Sequence, residues 1–130
     1  MPLFGAIGIA GTGLTVHRKW LDAVSDNLAN MNNVSATSGE AFQARYVIAQ
    51  EAQDGNGAQV GGVAFGSAEG VLVHEPDNPL ADNQGYVRKA DIDLGSQMAQ
   101  MVMAQRAYQA NLAVVDRAKD SYTAAINLGK

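Results

Sequence analysis

Residues 91–127 read DIDLGSQMAQMVMAQRAYQANLAVVDRAKDSYTAAIN, and this stretch carries the strongest structural signal in the 130-residue chain. Within it, ten side chains recur in alternating steps of four and three. They are Leu94, Met98, Met101, Gln105, Tyr108, Leu112, Val115, Lys119, Tyr122 and Ile126. Such a heptad is typical of a helix packed lengthwise on another helix, and at ~1.5 Å per residue it would be on the order of 50 Å long. We expect Asp91 or Asp93 to cap its N-terminus and Gly129 to end it.

The N-terminal region repeats this spacing over about four heptads between residues 6 and 31. The positions are Ile7, Ala10, Leu14, His17, Leu21, Val24, Leu28 and Met31. Glycines at positions 5, 8, 11 and 13 each cost roughly 1 kcal/mol relative to alanine in a helix. The pattern therefore predicts a second helix whose first half orders only when it packs against neighbours, and we expect the ends of the isolated protein to be largely disordered.

The segment between these regions is rich in turn residues and short apolar runs. Residues 42–48 alternate between apolar and polar side chains as a half-buried strand does, and residues 60–65 and 70–74 are further strand candidates. Residues 54–57 and 76–79 have turn composition. We expect the loop at 54–57 to tolerate a short insertion, because it contains no apolar anchor.

The sequence thus predicts a mainly α protein with a small β-rich insert. We assign residues 1–34 to the N-terminal helix of an inner domain, residues 35–90 to the β-rich middle segment, and residues 91–130 to the long C-terminal helix. The two helices are expected to pair as a coiled-coil-like inner domain.

Composition excludes several function classes. The net charge of −4 disfavours nucleic acid and anionic membrane as partners. The absence of cysteine excludes disulfides and thiolate metal sites. Residues 1–16 are apolar and uncharged, but they lack a basic n-region and are shorter than a bilayer span, so we expect neither a cleaved secretion signal nor a membrane anchor.

Candidate catalytic and metal-binding residues are few. Only His17 and His74 could act as bases near neutral pH; His17 falls within the helix seam and His74 within a strand. Two histidines without thiols do not complete a tetrahedral zinc site, and Asp77 and Asp91 do not continue into a calcium loop. We expect no catalytic residue, cofactor or metal site.

The polar side of the C-terminal helix is almost free of charge. Between Asp93 and Asp116 the only charged residue is Arg106. The other polar side chains there are Ser96, Gln97, Gln100, Gln105, Gln109 and Asn111. A solvated helix normally carries interspersed Lys and Glu, whereas amides can be buried if they are hydrogen-bonded. This favours a helix pair packed against copies of itself or close relatives, although a glutamine-rich solvent surface is the simpler alternative.

Three stretches resemble flagellar basal-body rod and hook proteins. Residues 21–30, LDAVSDNLAN, resemble the N-terminal signature of that family, and residues 105–111, QRAYQAN, resemble its C-terminal signature. Residues 73–87, VHEPDNPLADNQGYV, are similar to a stretch typical of a proximal-rod member. The chain departs from the family pattern at Gln97, where a glutamate is usual, and at Ala41, where a proline is common.

The resemblance implies a structural subunit of the flagellar proximal rod and not an enzyme. Such a subunit stacks helically with copies of itself and other rod proteins and transmits torque from the membrane (MS) ring to the hook. The resemblance also implies contacts with the MS ring and rod-adaptor components, and export through the flagellar type III apparatus to the periplasmic rod. The β-rich segment would face outward, and neither nucleic acid nor a small-molecule substrate is implied.

We expect the assembly interface to draw on both helices. Its predicted residues are Leu14, Leu21, Val24, Asn27, Leu28, Asn30, Met98, Met101, Gln105, Arg106, Tyr108, Asn111, Leu112 and Val115. Asn27 and Asn111 each precede a leucine of the predicted seam, where an amide left unpaired in a shifted alignment would penalise that register. Alternatively, Asn27 and Asn30 end the first helix by adopting the left-handed conformation.

Two other functions stay open. A non-flagellar coiled-coil adaptor, or a needle-like component of a secretion system, would share the terminal helices but gives no reason for residues 75–86. A small enzyme or ligand-binding domain would be built on the β segment.

Overall fold

The computed structural model describes residues 3–129, and within them the chain forms two long helices and five strands. In chain order these are α1 (Leu3–Asn30), β1 (Val34–Ser35), β2 (Arg45–Glu51), β3 (Ala58–Phe65), β4 (Val71–His74), β5 (Tyr86–Lys89) and α2 (Leu94–Leu128). This confirms the predicted fold class, mainly α with a small β-rich insert. No helix in this part of the chain has both the length and the apolar composition that a membrane span requires.

The described residues divide into two compact units. The first comprises residues 3–21, 47–62 and 102–129, and the second comprises residues 22–46 and 63–101. Each unit therefore contains part of α1, part of α2 and part of the insert.

In the first unit the two helices run antiparallel. The ring of Phe4 meets the ring of Tyr122 edge-on, with centroids 5.5 Å apart. Further along α1, Gly13 lies against the side chain of Asn111. The partner number falls as the α1 number rises, which is the signature of antiparallel packing.

In the second unit, three strands form an antiparallel sheet in the order β1-β5-β4. Lys89 is paired with Val34 on one side and with Val71 on the other. The central strand β5 places Val87 in the core, where it is fully buried. Strands β4 and β5 confirm that the run predicted at 70–74 is extended and paired.

Strands β2 and β3 form a separate two-stranded sheet. They are joined by residues 52–57, and so short a link requires the antiparallel arrangement. The link turns on glycine: Gly55 and Gly57 have φ angles of 71° and 111°. The N–H of Asn56 donates to Asp54 Oδ1 at 3.0 Å. Residues 46–50 and 58–65 carry no charged side chain.

The predicted alternation at 42–48 is wrong in its burial. β2 begins only at Arg45, and Tyr46 and Ile48, expected on the buried face, are 37% and 49% exposed. Alternation implies burial only where another layer covers one face of the sheet, and most of both strands is exposed in this chain.

Local capping chemistry defines the helix ends. Asp93 caps α2, as predicted: its Oδ2 accepts from the Ser96 N–H at 2.7 Å. α1 ends at Asn30, whose side chain donates to the Asp26 carbonyl at 2.9 Å. The predicted reason for that ending is wrong, because every positive φ in the described residues belongs to a glycine.

The buried face of α2 matches the predicted heptad at Met101, Tyr108 and Val115 and differs from it by one residue at the positions that alternate with them. Side chains that are buried or half-buried follow steps of four and three, and Gln100 and Ala107 flank them. They are Gln97, Met101, Ala104, Tyr108, Asn111, Val115 and Ala118. The predicted positions Leu94, Met98, Gln105, Leu112, Lys119, Tyr122 and Ile126 are exposed instead.

On α1, Ala10 and Val24 are buried as predicted. Other contacts come from Gly13 and Asn27, directly before the predicted Leu14 and Leu28. Small residues and amides let helices approach closely, which larger leucines and methionines would prevent. None of the predicted α1 positions is exposed, so the displacement of the predicted seam is confined to α2.

Candidate assembly interface

A buried amide cluster connects α1, β2 and α2 within the second unit. Asn27 is fully buried and Gln97 is 2% exposed. The Asn27 Nδ2 group donates to Gln97 Oε1 at 3.0 Å and to the Arg45 carbonyl at 2.9 Å. In return, the Arg45 N–H donates to Asn27 Oδ1 at 2.8 Å. One side chain thus binds both backbone groups of the first residue of β2.

An ion pair lies beside this cluster on the surface. Arg45 Nη1 donates to Asp26 Oδ2 at 2.6 Å, and both side chains are about half exposed, at 47% and 48%. Exposed pairs of this kind contribute ~0.2–1 kcal/mol. Asn27 itself is fully buried, and its two hydrogen bonds to the Arg45 backbone are the stronger anchor for this end of the strand.

In the first unit, Thr12 holds the start of β3, directly after the β2–β3 connection. The Thr12 hydroxyl donates to the Ile9 carbonyl at 2.6 Å and accepts from the Ala58 N–H at 3.0 Å. A β carbon at Gly57 would collide with the same hydroxyl. The loop, expected to contain no apolar anchor, has a polar one on its C-terminal side.

The exposed side of α2 carries a second heptad in the first unit. We call Val102, Gln105, Gln109 and Leu112 the outer stripe of α2; they follow steps of three, four and three, and all four are exposed. Val102 and Leu112 are 45% and 43% exposed. This stripe leaves apolar side chains and amides on the water-facing surface, in a geometry suited to a further helix.

The predicted interface residues fall into three groups by exposure. Val24 and Asn27 are buried. Leu14, Leu21, Leu28, Asn30, Met101, Tyr108, Asn111 and Val115 are half-buried, and Met98, Gln105, Arg106 and Leu112 are exposed. The structure brings Asn27 and Asn111 against the paired helix, whereas Leu112, expected in the seam, points away from it.

Sequence reasoning missed Gln97, Gly13 and Arg45 as contact residues. A usable signal for Gln97 was present, since Gln97, Ala104, Asn111 and Ala118 recur every seven residues. Gly13 makes its contact by lacking a side chain, and Asn27 binds Arg45 through the Arg45 backbone. Neither contact can be predicted from a pattern of side-chain types.

The stretch at residues 75–86 is a closed loop held by Asp82. Asp82 Oδ1 accepts from the N–H groups of Tyr86 at 3.0 Å and Gln84 at 2.9 Å, and Oδ2 accepts from the Thr37 hydroxyl at 3.2 Å. The Tyr86 hydrogen bond is the main cause that lowers the pKa of Asp82 below its ordinary 3.8, while desolvation opposes it. Gly85 has a φ of 80°, and a β carbon there would lie 2.9 Å from His74 Nε2.

The two histidines make ring contacts in the structure. His74 packs edge-on against Tyr86 with centroids 5.0 Å apart. His17 lies 6.2 Å from the ring of Trp20 and, with Val16, Val47 and Ala49, lines an apolar cleft of about 170 Å³. Both rings have aromatic neighbours, which fits packing roles.

Similarity to known proteins is found both for the region around α2 and for the whole chain. Residues 83–128 match the family described as flagellar basal body rod FlgEFG protein C-terminal. The flagellar basal-body rod protein FlgC of Salmonella typhimurium is 34% identical to this chain, and the alignment covers all of both proteins. The chain belongs to the FlgC family of flagellar basal-body rod proteins.

Other FlgC proteins align over the same full extent. The identity is 35% with FlgC of Escherichia coli O157:H7 and 27% with FlgC of Bacillus subtilis, in each case over all of both chains. The FlgC match therefore includes the β-rich insert and the Asp82 loop as well as the helices, and it confirms the resemblance seen at residues 21–30, 73–87 and 105–111.

Proposed function

We propose that this chain is a structural subunit of the proximal part of the flagellar rod. It assembles helically with copies of itself and with other rod proteins, and the stacked subunits transmit torque from the membrane (MS) ring to the hook. Membership of the FlgC family supports the rod, and the surface of α2 supports the mode of assembly.

The observation that carries this proposal is the outer stripe of α2. Its side chains are exposed, yet between Asp93 and Asp116 the helix holds one charge, Arg106. Burying a charge without a partner is costly, whereas apolar groups and hydrogen-bonded amides can be covered by a neighbour. The stripe has the composition of a surface that a neighbouring subunit covers.

The predicted interface residues take two different roles in this proposal. Val24, Asn27, Met101 and Val115 hold the helix pair of one subunit together. The exposed Met98, Gln105, Arg106 and Leu112 contact neighbouring subunits. The paired helices make up the inner domain, and residues 35–90 face outward.

The remaining partners are proposed from the family resemblance. They are the MS ring and rod-adaptor components, and the flagellar type III export apparatus during passage to the periplasmic rod. We propose that the N-terminal helix is retained after export, because Phe4 packs against Tyr122 and so belongs to the helix pair.

Glutamate substitutions on the outer stripe test this function. Val102→Glu and Leu112→Glu place an unpaired charge on the stripe, and Leu112→Gln is the matched uncharged control. Each variant is expressed in the source bacterium from which the native gene has been deleted. Electron microscopy counts rods, soft agar measures swimming, and circular dichroism of purified protein measures the fold.

We expect both glutamate variants to keep their helicity and lose rods and swimming, while Leu112→Gln retains both. Normal rods with either glutamate at normal protein level would contradict assembly through the stripe. A deletion strain that still builds complete flagella would contradict the rod function itself and favour the adaptor alternative.

A further inference from the structure

Every polar atom of the Asn27 side chain has a partner, and the partners come from two different segments. The Nδ2 group has two hydrogens; one is donated to the Arg45 carbonyl and the other to Gln97 Oε1. Oδ1 accepts from the Arg45 N–H. The amide therefore connects the backbone at the start of β2 with a side chain of α2.

The two amide side chains of the cluster are closed to water. Asn27 is fully buried and Gln97 is 2% exposed, so a hydrogen that loses its protein partner cannot turn to solvent. A buried donor left unpaired is penalised. The Asn27 amide is consequently held in this orientation by all three of its hydrogen bonds only when Gln97 is beside it.

We propose that Gln97 is a positioning residue for the start of β2. Gln97 acts on Arg45 through Asn27, by fixing the Asn27 amide in the orientation that binds both backbone groups of Arg45. Because Gln97 belongs to α2 and Asn27 to α1, attachment of the strand depends on helix pairing in the correct register. This coupling is independent of the proposed function and concerns the fold of one subunit.

Hydrogen exchange at the Arg45 N–H measures the coupling directly. Gln97→Met keeps the volume of the side chain and removes the acceptor, whereas Gln97→Glu keeps an acceptor oxygen. Gln105→Met is the matched control, because Gln105 is an exposed amide on the same helix. The Ala104 N–H, inside α2, reports on general loosening of the fold.

We expect Gln97→Met to speed hydrogen exchange at the Arg45 N–H by about tenfold, which corresponds to the free energy of one lost hydrogen bond. The exchange rate at the Ala104 N–H should stay within a factor of about two of its original value. Gln97→Glu should retain the protection of Arg45, and Gln105→Met should change neither site. Unchanged exchange at Arg45, or an equal rise at Arg45 and Ala104, would overturn the positioning role.

A measurement on the unmodified protein covers the case in which Gln97→Met fails to fold. Both side-chain N–H protons of Asn27 should exchange slowly, since each has a buried acceptor. Exchange of either proton at the rate of a free amide would overturn the proposal.

Discussion

The side chain of Asn111 occupies the space beside Gly13, so that a β carbon on residue 13 would lie 2.7 Å from Asn111 Nδ2. A helical glycine is disfavoured by roughly 1 kcal/mol relative to alanine. At position 13 that penalty accompanies a close helix contact. At Gly11 nothing lies within 4 Å of the β-carbon position, so an alanine side chain has open space there.

Alanine should therefore act differently at these two glycines. Gly11→Ala should raise the free energy of unfolding of purified protein by up to ~1 kcal/mol, whereas Gly13→Ala should bring no gain, because Asn111 must move. In an Asn111→Ala background, Gly13→Ala should recover the gain. Thermal unfolding followed by circular dichroism measures all four proteins, and equal gains from Gly11→Ala and Gly13→Ala in the native background would refute the contact.

Substitutions at Asn111 and Leu112 should have different effects on rod assembly and on the stability of the subunit. Leu112 is 43% exposed, so Leu112→Ala should change stability by less than about 0.5 kcal/mol, contrary to its expected place in the seam. Asn111→Leu should keep or raise helicity and impair rod formation, because the amide that distinguishes registers is lost. Chemical denaturation and rod counts measure the two effects. Normal rods and swimming with Asn111→Leu would refute the register role.

Gly57 should not tolerate a side chain, and Gly62 should. Gly57 has a φ of 111° and lies against the Thr12 hydroxyl, whereas nothing lies within 4 Å of the β-carbon position at Gly62. Gly57→Ala should lower stability by about 1–3 kcal/mol through backbone strain and collision. Gly62→Ala, the control, should stay within about 0.5 kcal/mol of the original protein. Urea unfolding midpoints that fall equally for both would count against the Thr12 anchor.

An insertion in the same loop should be sensitive to its position. A short Gly-Ser insertion between Gln53 and Asp54 leaves the Thr12 contact with Ala58 in place, and swimming in soft agar should be normal. The same insertion between Gly57 and Ala58 separates the anchor from the turn and should reduce swimming. Loss of motility from the first insertion, at normal protein level, would show that the loop tip itself has a partner.

The Asp82 loop should lose stability in acid. The hydrogen bonds from Tyr86, Gln84 and Thr37 lower the pKa of Asp82 in the folded state. Its carboxylate therefore stabilises the fold above the ordinary pKa of 3.8, and that contribution disappears as the pH falls through the lowered value. Asp82→Asn should be less stable at neutral pH and should lose less stability from about pH 5 downward.

Asp77→Asn is the control for this pH dependence. Asp77 is an exposed carboxylate in the same loop, and none of the hydrogen bonds described for Asp82 reaches it. Melting temperatures across the acid range should be nearly unchanged by Asp77→Asn. An Asp82→Asn profile that parallels the original protein would contradict the assignment to Asp82.

Features fixed by neighbouring residues could be predicted from the sequence. The cap at Asp93, the turn at 54–57 and strands β3 and β4 depend on side chains within a few positions of one another. Helix α2 was evident because its seven-residue repeat runs almost without charge.

Features fixed by distant residues could not be predicted in the same way. Asn27 finds its partners 18 and 70 residues away, at Arg45 and Gln97. At four positions, Asn111 among them, the seam on α2 lies one residue before the predicted one, because hydrophobicity ranks Leu112 above Asn111. The close approach of the two helices at Gly13 places Asn111, and not Leu112, in the seam. This contact is visible only once the helices are packed.

The uncharged interior of β2 and the uncharged strand β3 have a consequence for the isolated subunit. Each strand has one edge without a paired strand within residues 3–129, and neither residues 46–50 nor residues 58–65 include a lysine, an acidic residue or a proline to block it. Such edges are prone to pair between molecules and aggregate. The open edges of β2 and β3 are therefore an aggregation liability of the subunit when no neighbour covers them.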